Sequence, residues 1–356
     1  KAAPKTKSRR AFIETLDDQR ERETKLATST VMTIQGLAIA ALFATIALSA
    51  NLAFWVGTQL YGTGGIQNII LALPAAWSTY CIAFSLAAVC VKWVVVGKLK
   101  PGRYSVYRKT HLKWWIANLF LNFGQQSIWL PFRDSHLGLW LLQLLGARVH
   151  SGATLNIDGL NPAVSLIDAD LLSIGDRAYI RRGALVQCHL FTEGSFILAP
   201  ITLEERTVIW TRGVVEPGCT IEKTGILEHH SVLTMGNTLP SGMRAQGVPA
   251  TKMEPHNEDG VKASSGIDKF IHTFMGFIIL PYMMVGAFGV FFWVINTMVD
   301  NPTLHTFDWR VWVSLWPAFI ITTIILGAAC CLFKWALIGR IKSGQLENDL
   351  SVRLSI

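Results

Sequence analysis

The chain has 356 residues, of which 51% are hydrophobic and 16% are charged, and its mean hydropathy is +0.37. That composition is too apolar for an ordinary soluble protein, and the length suggests two or three domains. The net charge of +8 does not indicate nucleic-acid binding, because region 145–255 holds nine Lys/Arg and eleven Asp/Glu. The excess positive charge lies in the flanking segments, where it suits anionic lipid headgroups.

A basic linker, residues 1–30, precedes a pair of predicted membrane helices within 31–98. No charged residue occurs from Val31 to Val91, and the turn-like stretch YGTGG at Tyr61 divides this run in two. About 20 apolar residues cross a bilayer. We therefore predict four transmembrane helices in two pairs, at 31–56, 66–96, 270–294 and 311–337.

A segment rich in Trp and Leu, residues 99–145, follows the first pair. Polar residues interrupt it too often for a membrane span, so we predict interfacial amphipathic helices against the bilayer. The tryptophans expected at headgroup level are Trp114, Trp115, Trp129 and Trp140. Packing of these helices on the next domain is an alternative compatible with this prediction.

Aliphatic residues recur at every sixth position within 146–255. This period is neither the 3.6 of a helix nor the 2 of a strand, and it is typical of a hexapeptide-repeat solenoid of stacked triangular coils. We predict a parallel β-helix in which each repeat points one aliphatic side chain inward. These residues are Ile174, Ile180, Val186, Leu203, Ile209, Val215, Ile221, Leu227, Leu233 and Leu239.

The repeat breaks in the stretch LVQCHLFTEGSFILAP, which starts at Leu185. The separation between Val186 and Leu203 is not a multiple of six. The chain must therefore leave the coil between them, and this excursion carries His189 and Glu193. A histidine is suited to proton abstraction near neutral pH because of its ordinary pKa.

A linker, residues 256–269, leads to the second membrane pair (270–338) and a last segment, 339–356. The sequence KWVVVGKLKPG from Lys92 matches KWALIGRIKSG from Lys334 almost residue for residue, and each follows a pair of spans. This duplication predicts an array of units, each with two spans and one soluble domain. The segment 339–356 is then either a C-terminal tail or the start of a further repeat, in a fragment of something longer.

Lys and Arg cluster before the first span, after the second and after the fourth, whereas the loops within each pair have almost none. By the positive-inside rule, both termini and the β-helix domain lie on the cytoplasmic side of the cell membrane. The six cysteines show no disulfide pattern, which fits a reducing compartment.

The motifs LLGARV, DLLSIGDRAYI, CHLFTEGSFILAPITL, VVEPGCTI and LTMGNTLPSGMRAQGVPA occur in this order between two-span units. In that order they resemble the carboxy-terminal membrane region of ε-poly-lysine synthetase and related nonribosomal-peptide-synthetase-like proteins. The resemblance implies left-handed β-helix, acyltransferase-like domains that join amino acids released from a carrier domain. That family has three tandem solenoids and six spans after its adenylation and carrier domains, whereas one solenoid and four spans are predicted here.

The sequence patterns and this resemblance together give the expected fold and function. The fold class is a mixed membrane protein, with four transmembrane α-helices flanking a left-handed parallel β-helix. The expected activity is amide formation from an aminoacyl thioester, held on the phosphopantetheine of a carrier domain, to an amine acceptor. No cofactor within this segment and no metal are expected. The expected partners are membrane lipids, the carrier domain and homologous β-helix domains, in tandem or as a homotrimer.

Four residues are candidates for the catalytic site. His189 would deprotonate the acceptor amine, while Glu193 would orient the imidazole or hold a cationic amine. His229 and His230 lie on a turn or the outer face, and adjacent residues of an extended segment point to opposite sides. For each of the four, a solvated loop residue is the alternative interpretation.

Two other functions stay open. A non-catalytic membrane-anchored scaffold for assembly or carrier docking would explain the lack of a strong catalytic constellation. A zinc protein of the γ-carbonic-anhydrase type would share the solenoid, but it needs a close histidine pair plus a third histidine. The adjacent His229 and His230 do not give that spacing. Walker, Gly-x-Ser-x-Gly and Cys-x-x-Cys motifs do not occur in the sequence, so ATP hydrolysis, serine-esterase chemistry and a zinc ribbon have no support.

Overall fold

A computed structural model describes residues 9–20, 26–62, 68–106, 108–129, 132, 135–155, 164–181, 183–192, 194–256, 266–286 and 309–337. The chain divides into two compact units, residues 1–279 and 280–356. The first unit holds the β-sheets, the first two long apolar helices and the start of a third. Within the second unit, the described residues are the end of that third helix and a helix from Trp309.

The helices of the first unit are α1 (Arg9–Thr15), α2 (Thr28–Gly62), α3 (Ile69–Val91), α4 (Lys109–Phe123), α5 (His136–Leu144) and α6 (Gly266–Phe274). Three of them continue into π-helical turns: α3 into Lys92–Val96, α4 into Gly124–Ile128 and α6 into Met275–Ile279. In the second unit, α7 spans Trp309–Leu337 and contains Pro317.

Three helical stretches in the described residues are long and apolar enough to cross a membrane: Thr28–Gly62, Ile70–Val96 and Lys269–Gly286. The first two pack against each other and leave many large apolar side chains exposed, such as Phe43 and Phe54. An exposed apolar surface of this extent suits a lipid environment. The predicted span at 311–337 coincides with α7, but the count of four spans stays a prediction.

The strands of the central region are short. Their bounds are β1 (Gly102–Ser105), β2 (Arg148–Val149), β3 (Thr154–Leu155), β4 (Leu172–Ile174), β5 (Tyr179–Ile180), β6 (Leu185–Val186), β7 (His189–Thr192), β8 (Ser195–Leu198), β9 (Ile201–Leu203), β10 (Val208–Ile209), β11 (Val214–Val215), β12 (Thr220–Ile221), β13 (Ile226–Leu227), β14 (Val232–Leu233), β15 (Thr238–Leu239), β16 (Met243–Gly247) and β17 (Ala250–Pro255).

Most of these strands form parallel sheets with a β-helix-like register. The sheet orders are β3-β5-β10-β13-β16-β17, β6-β11-β14 and β2-β4-β9-β12-β15, with only the β16–β17 pair antiparallel. Ile209 pairs with Leu227 and Leu203 pairs with Ile221, so each residue of the period pairs with the third one after it. Paired strands therefore lie three hexapeptide repeats apart, which agrees with the sequence period and with a β-helix-like coil.

The aliphatic residues of the period form the core of this region. None of them is more than 3% exposed, from Ile174 to Leu239. Val149 and Leu155 extend the same stacks, through pairing with Ile174 and Ile180. The predicted inward direction of these side chains is thus confirmed.

The break in the repeat is a hairpin. Val186 pairs with Val215, and these two residues are further apart in the chain than the length of one regular coil. The additional residues include β7 and β8, which leave the coil as an antiparallel pair. Strand β1 adds to the free edge of β8, with Tyr104 opposite Phe196. The excursion is therefore covered by a strand that directly follows the second apolar helix.

Two of the tryptophans expected at headgroup level lie in the protein core. Trp114 is 5% exposed and Trp129 is fully buried, and the indole of Trp129 donates to Ser85 Oγ at 2.7 Å. The headgroup placement is wrong for both, because each indole N–H finds a buried acceptor inside the protein. Trp140, by contrast, is 58% exposed.

Candidate active site

The hairpin brings His189 next to a buried carboxylate. His189 is the first residue of β7, and Asp168 immediately precedes the 3-10 turn Ala169–Leu171 that leads into β4. His189 Nδ1 is in hydrogen-bond contact with Asp168 Oδ2. The His189 side chain is 11% exposed and that of Asp168 is fully buried.

Trp114 of α4 holds the other oxygen of the same carboxylate. Its indole Nε1–H donates to Asp168 Oδ1 at 2.8 Å. Its ring also lies edge-on to the His189 imidazole, with 4.8 Å between the ring centroids. A buried carboxylate needs hydrogen-bond donors to offset its lost hydration, and here one oxygen is bound by the indole while the other faces the imidazole.

This contact also sets the proton positions on the imidazole. A carboxylate at Nδ1 favours the tautomer with a proton on Nδ1, so Nε2 carries the lone pair. Nε2 has no partner among the residues that the structure describes. The arrangement is that of a histidine base oriented by an aspartate.

The pKa of His189 reflects two opposing effects. Burial lowers it, but the negative charge of Asp168 and the hydrogen bond to it outweigh burial and raise the pKa above its ordinary value. The buried pair thus favours the protonated imidazole, which is the form a base reaches after it accepts a proton.

An aromatic cluster encloses the pair. Phe191 and Phe196 stack on each other at 5.0 Å, and both lie next to the Trp114 and His189 rings. His111 stacks on Trp114, and burial lowers the pKa of His111. These rings pack around the imidazole, and the Asp168 carboxylate beside it is shielded from water.

His189 lines a cleft of about 470 Å³ between α4 and the coil. Trp114 forms part of the same wall, and Arg212 lines the cleft from the turn before β11. Four carboxamide side chains also line it, namely Asn118, Asn122, Gln125 and Gln187. No Asp or Glu occurs among the described lining residues. The described lining therefore mixes neutral carboxamides with apolar side chains, and its charged groups occupy a few positions.

A second buried acidic residue connects this site to the second apolar helix. Asp170 Oδ2 lies 3.3 Å from Lys92 Nζ and accepts a 2.6 Å hydrogen bond from the Leu99 amide. Burial raises the pKa of Asp170 although the Leu99 amide and Lys92 act in the opposite direction. Asp168 and Asp170 are separated by one residue. The same turn therefore carries the contact with His189 and the contact with Lys92 at the end of the second apolar helix.

The predicted catalytic residues differ in their position relative to the cleft. His189 lies in the cleft, whereas His229 and His230 are exposed and do not line it. The His229 ring instead stacks on Trp210 at 5.2 Å, and His230 occupies a turn with a φ of 54°. Glu193 lies outside the described residues.

The zinc interpretation requires a cluster of ligands. Among the described residues, no group of three His, Cys, Asp or Glu side chains is arranged to hold a metal ion. His150 is on the surface, where its Nδ1 lies 2.8 Å from Asp176 Oδ1.

Asp168 was not among the residues predicted from the sequence, and Trp114 was expected at the membrane surface. Asp168 precedes His189 by little more than the length of one coil, and this separation was an available signal. The carboxamides of α4 had a weaker signal, since Asn118 and Asn122 are spaced to lie on one helix face.

No protein-family model matches the chain. Over 214 residues, it is 24% identical to the delta-poly-L-ornithine synthetase of Acinetobacter baumannii (strain AB307-0294). The match covers 58% of this chain and 15% of that protein, so the chain spans a small part of its curated relative.

Among solved structures, the chain is similar to a galactoside acetyltransferase in complex with coenzyme A. The identity is 17% and the TM-score 0.32, with 45% of this chain and 88% of the other covered. A maltose O-acetyltransferase from Clostridium difficile 630 shows 13% identity and a TM-score of 0.32, with 47% and 97% covered. The resemblance to ε-poly-lysine synthetase in particular stays a prediction.

Proposed function

We propose that this chain is a membrane-bound acyltransferase domain that forms amide bonds. It would transfer an aminoacyl group from a carrier-bound thioester to an amine. The observation that carries the proposal is the contact between Asp168 and His189 at the wall of an open cleft. The similarity to a poly-ornithine synthetase supports this class of reaction, because such a polymer is built by amide bond formation.

The geometry suits a base-catalysed transfer. The acceptor nitrogen attacks the thioester carbonyl, a C–N bond forms, and His189 Nε2 accepts a proton from that nitrogen. The C–S bond then breaks, and the imidazolium returns the proton to the departing thiolate. Asp168 stabilises the imidazolium between these two steps, and positioned acid–base catalysis contributes roughly 10²–10⁴-fold to such reactions.

The cleft fits substrates of this kind. Small-molecule sites typically enclose roughly 300–1,000 Å³, and the cleft volume of about 470 Å³ lies in that range. Its carboxamides both donate and accept hydrogen bonds, which matches the amide and amine groups of aminoacyl substrates. The carrier thioester is a substrate from another domain or protein, and it would enter through the open side of the cleft.

We also propose how the β-helix-like region is built and how it lies at the membrane. The β-helix-like region would be a left-handed hexapeptide-repeat solenoid on the cytoplasmic side of the membrane, flanked by four spans. Homologous domains, in tandem or as a homotrimer, would pack beside it. The register of three repeats per coil supports the solenoid, and the distribution of Lys and Arg supports the orientation.

The proposal can be tested with the chain purified in detergent. An aminoacyl-pantetheine thioester and an amino-acid acceptor are mixed with it, and mass spectrometry quantifies the amide. We expect His189→Asn to lower product formation by about 10²–10⁴-fold. The Asn side chain keeps a donor for Asp168, so the fold is retained while the base is lost.

His229→Asn is the matched control, since His229 is exposed and lies outside the cleft. It should leave the rate unchanged. A scaffold without catalytic activity would instead form no amide above the uncatalysed rate, and His189→Asn would have no effect.

A further inference from the structure

We infer that residues 9–19, which comprise α1 and the short stretch after it, hold the hairpin that carries His189 in place from outside the cleft. These residues are called the N-terminal segment below. Phe12 and Arg9 are its positioning residues, and neither of them lines the cleft. This role rests on the proposed function, because it concerns the orientation of the base in the same reaction.

Phe12 docks on a corner of the coil. Its side chain lies over Gly218 and Gly236, and a Cβ atom added to either glycine would overlap it. Gly218 follows β11 and Gly236 follows β14, and these two strands pair in parallel with each other. The ring therefore lies across two successive coils at the same corner.

The phenyl ring explains why both of these turns carry glycine. Their φ values are 78° and 71°, in the left-handed region that favours glycine. Yet Arg206 and Thr224, each with a φ of 59°, occupy other turns of the same coil. This backbone conformation alone therefore does not exclude a side chain from the coil, whereas the space that the ring occupies does.

Arg9 holds the start of α1 on the same corner. Its guanidinium contacts both oxygens of the Glu216 carboxylate, with Nε donating to Oε2 at 3.3 Å and Nη2 donating to Oε1. The Glu216 side chain is 10% exposed, and its Oε2 also accepts a hydrogen bond from the Met235 amide at 3.0 Å. Two-point binding of a carboxylate by arginine combines charge with a fixed geometry. Because Arg9 and Phe12 have the spacing of neighbours on one helix face, α1 docks through a single face.

The residues after α1 add to the edge of β1. The Arg103 amide donates to the Asp17 carbonyl at 2.9 Å, and the Gln19 amide donates to the Arg103 carbonyl at 2.9 Å. Asp18 lies opposite Arg103 in this parallel bridge. The N-terminal segment thus contacts the coil through α1 and the sheet of the hairpin through its backbone.

Strand β1 connects this contact to the hairpin. Arg103 pairs with Ile197 of β8, and Ile197 pairs with Leu190 of β7, the residue after His189. The Arg103 guanidinium also donates to Ser195 Oγ at 3.1 Å. The N-terminal segment therefore lies at one edge of a sheet whose opposite edge carries His189. Loss of its docking would release that sheet from the coil corner, and a displacement of about 1 Å at a reacting group can lower a rate about 10²-fold.

The experiment changes the docking corner without changing any residue of the N-terminal segment. Gly236→Ala adds a methyl group that overlaps Phe12. Gly242→Ala is the matched control, because Gly242 has a φ of 67° and the nearest atom to an added Cβ is Thr224 Oγ1 at 4.0 Å. Each of the two glycine amides also donates to a carbonyl of the preceding coil at 3.1 Å. Both variants therefore carry similar backbone strain, and only Gly236→Ala displaces the segment.

Hydrogen exchange of the chain in detergent, measured by mass spectrometry, tests the docking without any substrate. In Gly236→Ala, peptides that contain Arg103 and Leu190 should exchange about 10-fold faster, because the Arg103 amide loses its acceptor and the sheet loses its outer segment. Gly242→Ala should match the unsubstituted chain in the same peptides. Equal exchange in the two variants would overturn the docking.

The thioester assay tests the positioning role. Gly236→Ala should lower kcat about 10- to 100-fold with little change in KM, because His189 is the only described residue of the β7–β8 hairpin that lines the cleft. Phe12→Ser should have the same effect, whereas Phe12→Leu keeps an apolar side chain on the corner and should retain most of the activity. Gly242→Ala should keep both kinetic constants. Faster exchange with an unchanged kcat in Gly236→Ala would overturn the positioning role.

The two measurements separate this role from the proposed function. If the unsubstituted chain forms no amide but exchange still differs between the two glycine variants, the N-terminal segment holds the hairpin and the acyl-transfer function fails. If amide forms and the two variants have the same exchange and the same kcat, the function stands and the positioning role fails.

Discussion

Lys92 Nζ and Asp170 Oδ2 lie 3.3 Å apart, with the two side chains 0% and 3% exposed. Lys92 belongs to the last turn of an apolar helix, and Asp170 belongs to the turn that carries Asp168. The next residue, Trp93, donates its indole N–H to the Leu144 carbonyl at 2.8 Å. Lys92 and Trp93 form the Lys-Trp pair of the duplicated motif. Through them the end of the helix contacts the Asp170 turn and the Leu144 carbonyl.

A second lysine does the same at the other junction. Lys269, at the start of the Lys269–Gly286 stretch, is 3% exposed and donates to the carbonyls of Ser151 at 2.8 Å and Ala153 at 3.1 Å. A buried ammonium is tolerated only when acceptors replace its hydration. Both lysines therefore hold a helix against the domain through a buried charge.

Lys92→Met should destabilise the domain, because it leaves Asp170 buried without its counter-charge. Breaking a buried ion pair typically costs about 3–5 kcal/mol. Thermal unfolding in detergent, followed by tryptophan fluorescence, measures the effect. Lys98→Met is the control at an exposed lysine, and Lys92→Met/Asp170→Leu should recover most of the loss. Equal unfolding temperatures for the two single variants would contradict this role.

Asp168→Asn should lower the rate of amide formation and shift its pH dependence. With Asp168, the pKa of His189 is raised, so the acid limb of the rate profile should have its midpoint above the ordinary value of about 6.5. Without the charge, burial dominates and the pKa of His189 falls, so the midpoint moves to lower pH. Rate profiles from pH 5 to 9 give both midpoints, with Asp176→Asn on the surface as the control. An unshifted midpoint would remove Asp168 from this role.

Trp114→Phe removes the indole donor from a buried carboxylate while it keeps an aromatic ring. An unsatisfied buried acceptor costs about 1–3 kcal/mol, and the freed carboxylate should let the imidazole move, which lowers kcat more than it changes KM. Trp129→Phe is the matched control, since it loses a buried bond to Ser85 Oγ outside the cleft. It should reduce stability with little change in kcat. The same kcat loss in both variants would indicate a structural effect only.

The sequence predicted the coil because its constraint is local and repeated. Each inward position, such as Leu203 or Leu227, must be aliphatic to fill the same narrow core, so the period is visible without any tertiary information. The excursion was also visible, since it interrupts that period. The strand that pairs with this excursion, β1, was not visible in the sequence. It lies far earlier in the chain, before the coil begins, and no periodic signal connects the strands of an irregular sheet.

The contact between Asp168 and His189 was missed for a related reason, although their separation is close to the length of one coil. Both residues lie outside the regular repeats, one before a 3-10 turn and one in the hairpin. Trp114 was misplaced because a tryptophan with an apolar body and one N–H suits a membrane surface and a protein core equally. Only the position of a buried acceptor distinguishes the two.

The stabilising contribution of the Asp168 and His189 pair should decrease as pH rises. The folded pKa of His189 is above its ordinary value, so folding favours the protonated form. The contribution is fully present below the unfolded pKa of about 6.5 and is lost as pH rises through the higher folded pKa. The unfolding temperature of the unsubstituted chain minus that of His189→Asn should therefore shrink from pH 6 to pH 9. In an Asp168→Asn background, burial lowers the pKa of His189 and the trend should reverse. A difference that grows with pH in the unsubstituted background would show that the imidazole is held neutral.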